Sequence, residues 1–142
     1  MKKILYYVTD HGRGHATRSV AMIRKLLKHD VEIIVRNSST EFFKQSLPLV
    51  KIISGKTDTG PIIKENGVSI DYEKSSKIVG KWIEDMGVIA KSEYENIRKF
   101  SPDLIISDIS AMPFISAKKS DIQSIAISNF SWYDTINFIS KD

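Results

Sequence analysis

The chain has 142 residues, 42% of them hydrophobic, and no cysteine; this suits one domain with an ordinary core and excludes disulfides and thiolate metal sites. Its formal charge of +4 comes from 21 Lys and Arg against 17 Asp and Glu, scattered in pairs such as Arg24-Lys25, Arg98-Lys99 and Lys118-Lys119. That pattern argues against nucleic acid as a partner, while peripheral contact with anionic lipid headgroups is compatible with it.

Met1-Lys2-Lys3 before Ile4 to Val8 imitates a signal peptide, but the apolar run stops at Thr9-Asp10, too early for an h-region. No run approaches the length of a membrane span, and a cysteine-free chain fits the reducing cytoplasm. Ile4 to Val8 is the first of five short runs rich in Ile, Val and Leu. The next are Val31 to Val35, Val50 to Ile53, Leu104 to Ile106 and Ile122 to Ile127, and all read as buried parallel strands. Between the first two, Val20, Ile23, Leu26 and Leu27 recur at helical spacing, and the helix stops at His29-Asp30. Thr40 is the expected cap of a short helix running to Leu47, with Pro48 as its breaker. Gly55 to Asp71 is irregular and carries the turn signals Gly60-Pro61 and Asn66-Gly67; a loop this long points to a substrate-contacting element. Tyr72 to Phe100 predicts a long helix with Ile78, Trp82, Met86, Ile89 and Ile97 on one side and Gly80 and Gly87 as weak points. Pro102 then opens the fourth strand.

Strands alternating with helices imply an α/β, Rossmann-like domain: a parallel sheet with order beginning 3-2-1-4-5 and helices on both faces. Ligands of such sheets gather beyond the carboxyl ends of the strands. That rule selects Thr9 to His15, Asn37 to Ser39, Gly55 to Gly60, Ser107-Asp108 and Asn129 to Trp132.

Gly12 and Gly14 allow a tight path and close approach to a ligand, with Thr17 and Arg18 expected in the first turn of the following helix, where phosphate binds well. The dinucleotide fingerprint is not met, because its third glycine is replaced by Thr17 and no acidic residue ends the second strand at Arg36-Asn37. His15 is either a loop-bonding residue or a general base. His11 lies four positions before it, but the intervening glycines argue that the segment is not yet helical, which counts against a shared metal. Asp108, ending a central strand, is either a loop cap or the carboxylate that orients a histidine. Trp132 suits a core or lid position, or a stacking surface for a sugar.

The string Gly12-Arg13-Gly14-His15-Ala16-Thr17-Arg18 resembles the Gly-x-Gly-His-x-x-Arg loop of a family of glycosyltransferases of the GT-B fold, a family that also forms the N-terminal region of plant arabinose kinases. Ser101-Pro102-Asp103-Leu104-Ile105-Ile106-Ser107-Asp108 is similar to the family's Pro-Asp-hydrophobic-Ser-Asp strand, and Ser128-Asn129-Phe130-Ser131-Trp132 to its Asn-Phe-Ser-Trp segment. Asp58-Thr59-Gly60 and Ser69-Ile70-Asp71 are weaker echoes.

The resemblance implies that residues 1–142 form the N-terminal, acceptor-side half of a GT-B enzyme, without the C-terminal donor-binding domain. It implies inverting transfer from a nucleotide sugar, such as a UDP-sugar, to an acceptor hydroxyl, with no metal or other cofactor. His15 is the implied base and Asp108 its partner. Gly12, Gly14, Thr17 and Arg18 would face the donor phosphates, and Asp10, His11, Asp58, Asn129, Ser131 and Trp132 the acceptor. A donor-binding domain, a separate subunit or self-association would complete the site. The alternative is a module of the same fold that binds phosphate or sugar without turnover.

Overall fold

The computed structural model describes residues 1–134. Its elements in chain order are β1 (Lys2–Val8), α1 (Arg13–Leu26), β2 (Val31–Arg36), α2 (Thr40–Ser46), β3 (Lys51–Ile53), α3 (Tyr72–Phe100), β4 (Leu104–Asp108), α4 (Met112–Lys119) and β5 (Gln123–Ile127). The five strands form one sheet in the order β3-β2-β1-β4-β5. Every pairing is parallel, with Ile4 beside Ile33 on one side and Leu104 on the other. This is the doubly wound arrangement that right-handed crossovers produce.

The pleat divides the core in two. Ile4, Tyr6, Val8, Ile33, Val35 and Ile106 pack beneath Val20 and Ile23 of α1 and beneath Phe43 and Leu47 at α2. Leu5, Tyr7, Ile34 and Ile105 face Ala90 and Ile97 of α3 and Met112 and Ala117 of α4. Burying these two layers removes apolar surface at roughly 25 cal/mol per Å², and β1, at the centre, is inaccessible on both faces from Ile4 to Val8.

Polar atoms inside the second layer are paired. The Tyr7 hydroxyl donates to Glu93 at 2.8 Å, and Arg36 meets the same carboxylate through Nε at 2.9 Å and Nη2 at 2.5 Å. Arg36 also donates to the carbonyl of Ser54. Gly55 is required here, since a Cβ would collide with the Arg36 guanidinium. Burial first, and then the neighbouring Glu93 charge, push the Tyr7 hydroxyl well above the ordinary tyrosine range.

Several local expectations are corrected. Helix α1 begins at Arg13, with Gly12 at φ 87 in the N-cap position, so Gly14 and His15 are already helical, His11 is not, and Thr17 and Arg18 lie in the second turn of the helix instead of its first. The residue capping α2 by position is Ser39, and Thr40 is the first helical residue. Helix α3 runs unbroken through Gly80 and Gly87, because packing of its inner face on the sheet outweighs the weak helix propensity of glycine. On its inner face Trp82, Met86 and Ile89 pack partly buried against the core as expected, joined by the buried Ser75, Ala90, Glu93 and Ile97, whereas Ile78 is exposed. The Asn66-Gly67 signal is a real turn: Gly67 has φ 72 and closes a small antiparallel bridge between Ile63 and Ile70. The edge strand β5 is mostly exposed, with Ile125 at 49%. Among the described residues, no helix is long and apolar enough to cross a membrane.

Candidate functional site

Strand β4 lies directly beside β1, and the register places Asp108 next to Val8 at the carboxyl edge. The loop leaving Val8 turns at Gly12 into α1, which brings the first turn of that helix over the end of β4. Nδ1 of His15 lies 3.0 Å from Oδ1 of Asp108, although 93 positions separate the two residues. Arg18 Nη2 donates to the same oxygen at 2.5 Å, and the Ser19 hydroxyl donates to Oδ2 at 3.0 Å. The Asp108 side chain is completely buried, that of His15 is 17% exposed and that of Arg18 38%. Two donors, from Arg18 and Ser19, and the His15 ring nitrogen thus converge on this buried carboxylate, and Arg18 Nη2 also lies 3.0 Å from His15 Nδ1.

Arg18 and Ser19 as partners of Asp108 escaped the sequence reading. They lie three and four residues after His15, which is the same-face spacing of a helix. Starting the helix at Arg13 makes that signal visible. Arg18 reaches Asn129 as well, through a long 3.5 Å contact.

The remaining loops form a second, linked cluster. Oδ1 of Asp10 accepts from the Ser38 amide at 2.8 Å and its hydroxyl at 2.7 Å, and Oδ2 accepts from the Thr57 amide at 2.7 Å. Asp58 accepts from the Asp10 amide at 3.0 Å and from Trp132 Nε1 at 2.8 Å. Both carboxylates therefore tie the loops after β1, β2 and β3 together and anchor Trp132. The His11 ring stands edge-on to Trp132 at 5.2 Å, Phe130 contacts Trp132 at 5.9 Å, and Phe130 contacts His15 at 5.8 Å. Phe130 is thus the link between the two clusters, and it too was missed. Burial lowers the His11 pKa below its usual value, an effect that Asp58 opposes and His15 reinforces.

Gly60 is a close-approach glycine, since a Cβ there would lie 2.7 Å from both the His11 ring and Trp132 Cη2. Beyond it opens a cavity of about 360 Å³ lined by Gly60, Pro61, Tyr72, Val79, Ile83 and Trp132. A second, polar depression of about 480 Å³ borders Thr9, Gly12, Arg13, Asn37 and Ser39.

At the start of α1 no side chain caps the helix and its first turn has no acidic residue. A Cβ at Gly12 or Gly14 would meet nothing within 4 Å, so Gly14 leaves open space rather than filling a packing constraint. The Thr17 hydroxyl is turned back to the Arg13 carbonyl at 3.0 Å. Ser131 bonds to Asp134 through its amide at 3.0 Å and its hydroxyl at 2.6 Å. Among the described residues no group of three His, Asp or Glu side chains is arranged to hold a metal ion.

The family model described as glycosyl transferase family 1 matches residues 2–140. The chain belongs to that family. Among curated proteins it is 30% identical over 131 residues to L-arabinokinase of Arabidopsis thaliana, covering 89% of this chain and 12% of that protein. Among solved structures it superposes on the glycotransferase of kitacinnamycin with a TM-score of 0.64 at 18% identity, covering 89% of this chain and 30% of the other. It also superposes on Phytolacca americana UGT2 complexed with UDP-2fluoro-glucose and pterostilbene, with a TM-score of 0.59 at 12% identity, covering 89% of this chain and 30% of the other.

 

The chain thus spans about an eighth of the curated relative and about a third of these solved structures. Family and fold together make it a Rossmann-like unit of the kind that forms the N-terminal part of GT-B glycosyltransferases.

Proposed function

We propose that this chain is the acceptor-side half of an inverting, nucleotide-sugar-dependent glycosyltransferase, in which His15 is the base and Asp108 holds and charges it. The observation that carries this reading is the 3.0 Å contact between His15 Nδ1 and Asp108 Oδ1 at the carboxyl edge of the sheet. With its Nδ1 proton donated to Asp108, the imidazole offers its other nitrogen as a lone-pair base. That nitrogen takes the proton of the acceptor hydroxyl while the oxygen attacks the anomeric carbon. The new carbon–oxygen bond forms as the bond to the phosphate oxygen breaks. The nucleoside diphosphate leaves and the configuration at the carbon inverts. Asp108 stabilises the imidazolium, and Arg18 and Ser19 keep the carboxylate in place.

The donor diphosphate faces Gly12 and Gly14, where the uncapped start of α1 presents free amides, with Thr17 one turn further along the helix; the Arg18 guanidinium adds positive charge while bound to Asp108. The acceptor lies along His11, Trp132, Asn129 and Ser131, with the cavity beside Trp132 taking its apolar part. Asp10 and Asp58 act in this scheme by fixing the loops. No metal takes part, and a second domain or subunit supplies the rest of the donor site.

The test is transfer measured with a donor-binding half supplied in the same chain or as a separate subunit. His15→Ala lowers the chemical step by about 10²–10⁴-fold and leaves nucleotide-sugar affinity within a few-fold. Unchanged turnover refutes the assignment of the base. Nucleotide-sugar binding with no transfer in any such assembly favours the module without turnover.

A further inference from the structure

Three described residues other than glycine have a positive φ: Ser101, Ile109 and Asp121. Ser101 and Asp121 follow helices α3 and α4, where a left-handed residue commonly ends a helix. Ile109 has no such excuse. It is β-branched, it follows a strand, and its φ is 68, a region that β-branched side chains enter only under constraint. The Ser110 amide donates to the Asp108 carbonyl at 2.9 Å, closing a three-residue turn centred on Ile109. This is a γ-turn of the positive-φ form, which is rare and strained.

Such strain persists only where the surroundings over-determine it. The Ile109 amide donates to the Ile127 carbonyl at 3.3 Å, the Ser107 hydroxyl donates to the Ser110 carbonyl at 2.8 Å, and the Ile109 side chain is 8% exposed. The Ser110 hydroxyl is buried and has no partner among the described residues, a second unfavourable group in the same turn. The geometry explains what the turn achieves. Asp108 reaches α1 on one face of the sheet, whereas α4 packs on the other. Between Asp108 and Met112 the chain must cross the sheet edge in three residues. A γ-turn makes that crossing at once and leaves the α1 side of Asp108 clear for His15 and Arg18.

We propose that Ile109 is a positioning residue, whose strained turn ends β4 immediately after Asp108 and holds the carboxylate against His15. Its catalytic meaning rests on the dyad reading above. The experiment reads the contact and not turnover, so the failure of one idea is distinguishable from the failure of the other.

The chain is labelled with ¹⁵N-histidine, and the His15 ring resonances and urea midpoints are compared in wild type, Ile109→Ala and Ile109→Gly. Ile109→Gly should have a folded-to-unfolded ratio roughly 2- to 10-fold above that of Ile109→Ala, because the left-handed penalty of an L residue exceeds the extra chain entropy of glycine. Despite this, its His15 Nδ1 signal should broaden or vanish as the freed backbone lets Asp108 move, while Ile109→Ala keeps it. Ile109→Gly no more stable than Ile109→Ala, or a wild-type His15 spectrum in Ile109→Gly, overturns the proposal. Should Ile109→Gly fail to fold, Ile109→Asn, which also tolerates a positive φ, serves in the same comparison.

Discussion

Asp108→Asn isolates the charge of the carboxylate from its shape. The amide fills the same completely buried space, and its single oxygen can face Arg18 and His15 while its nitrogen donates to the Ser19 hydroxyl, which rotates to accept. The hydrogen-bond count is therefore kept, and the negative charge is what disappears. Bonds to charged groups contribute about 1.5–3 kcal/mol against about 0.5–1.5 for neutral ones, so weakening the contacts of Arg18 and His15 costs about 2 kcal/mol before compensation. Arg18 is 38% exposed and regains water, and an amide is easier to bury than a carboxylate, so the expected net loss is about 1–2 kcal/mol. That is below the roughly 3–5 kcal/mol of orphaning a buried charge. For a chain of this size the melting temperature should fall by about 3–6 °C. Turnover in the completed enzyme should fall much further, by about 10²–10⁴-fold, because the imidazolium loses its counter-charge. Thermal unfolding and single-turnover transfer measure the two effects. Full transfer by Asp108→Asn, in an assembly where His15→Ala is inactive, would refute the orienting role of the carboxylate.

Glu93→Leu should destabilise by about 3–5 kcal/mol in urea, because it strands the buried Arg36, and adding Arg36→Met should recover most of that loss. Gly60→Ala should push Trp132 off His11, changing the tryptophan emission and lowering the melting temperature, since the new Cβ would lie 2.7 Å from both rings. His11 is held below its usual pKa mainly by burial. Its neutral form is therefore favoured by folding, and its contribution is complete above about pH 6.5 and lost as pH falls through the lower, folded value. His11→Gln should flatten the stability–pH curve in that window, as urea midpoints at a series of pH values would show.

The parallel sheet was legible because its strands are continuous apolar runs and each crossover carries a helical or breaker signal; the order 3-2-1-4-5 followed from crossover geometry. His15 and Asp108 were legible because both follow apolar runs at the carboxyl edge, and the family resemblance named them. Local periodicity did not reveal where α1 begins, since Gly12 and Gly14 look like loop residues until the helix is seen to start between them. That one boundary decides that Arg18 and Ser19 share the face of His15. Nothing in the sequence singled out Glu93 among the charges of α3, yet the sheet presents Tyr7 and Arg36 to it, and burial with two partners makes it internal. Ile109 carried no sequence signal at all. Its left-handed turn arises because β4 must end at Asp108 and α4 must pack on the far side of the sheet, a demand set by the three-dimensional path of the chain and by no property of isoleucine.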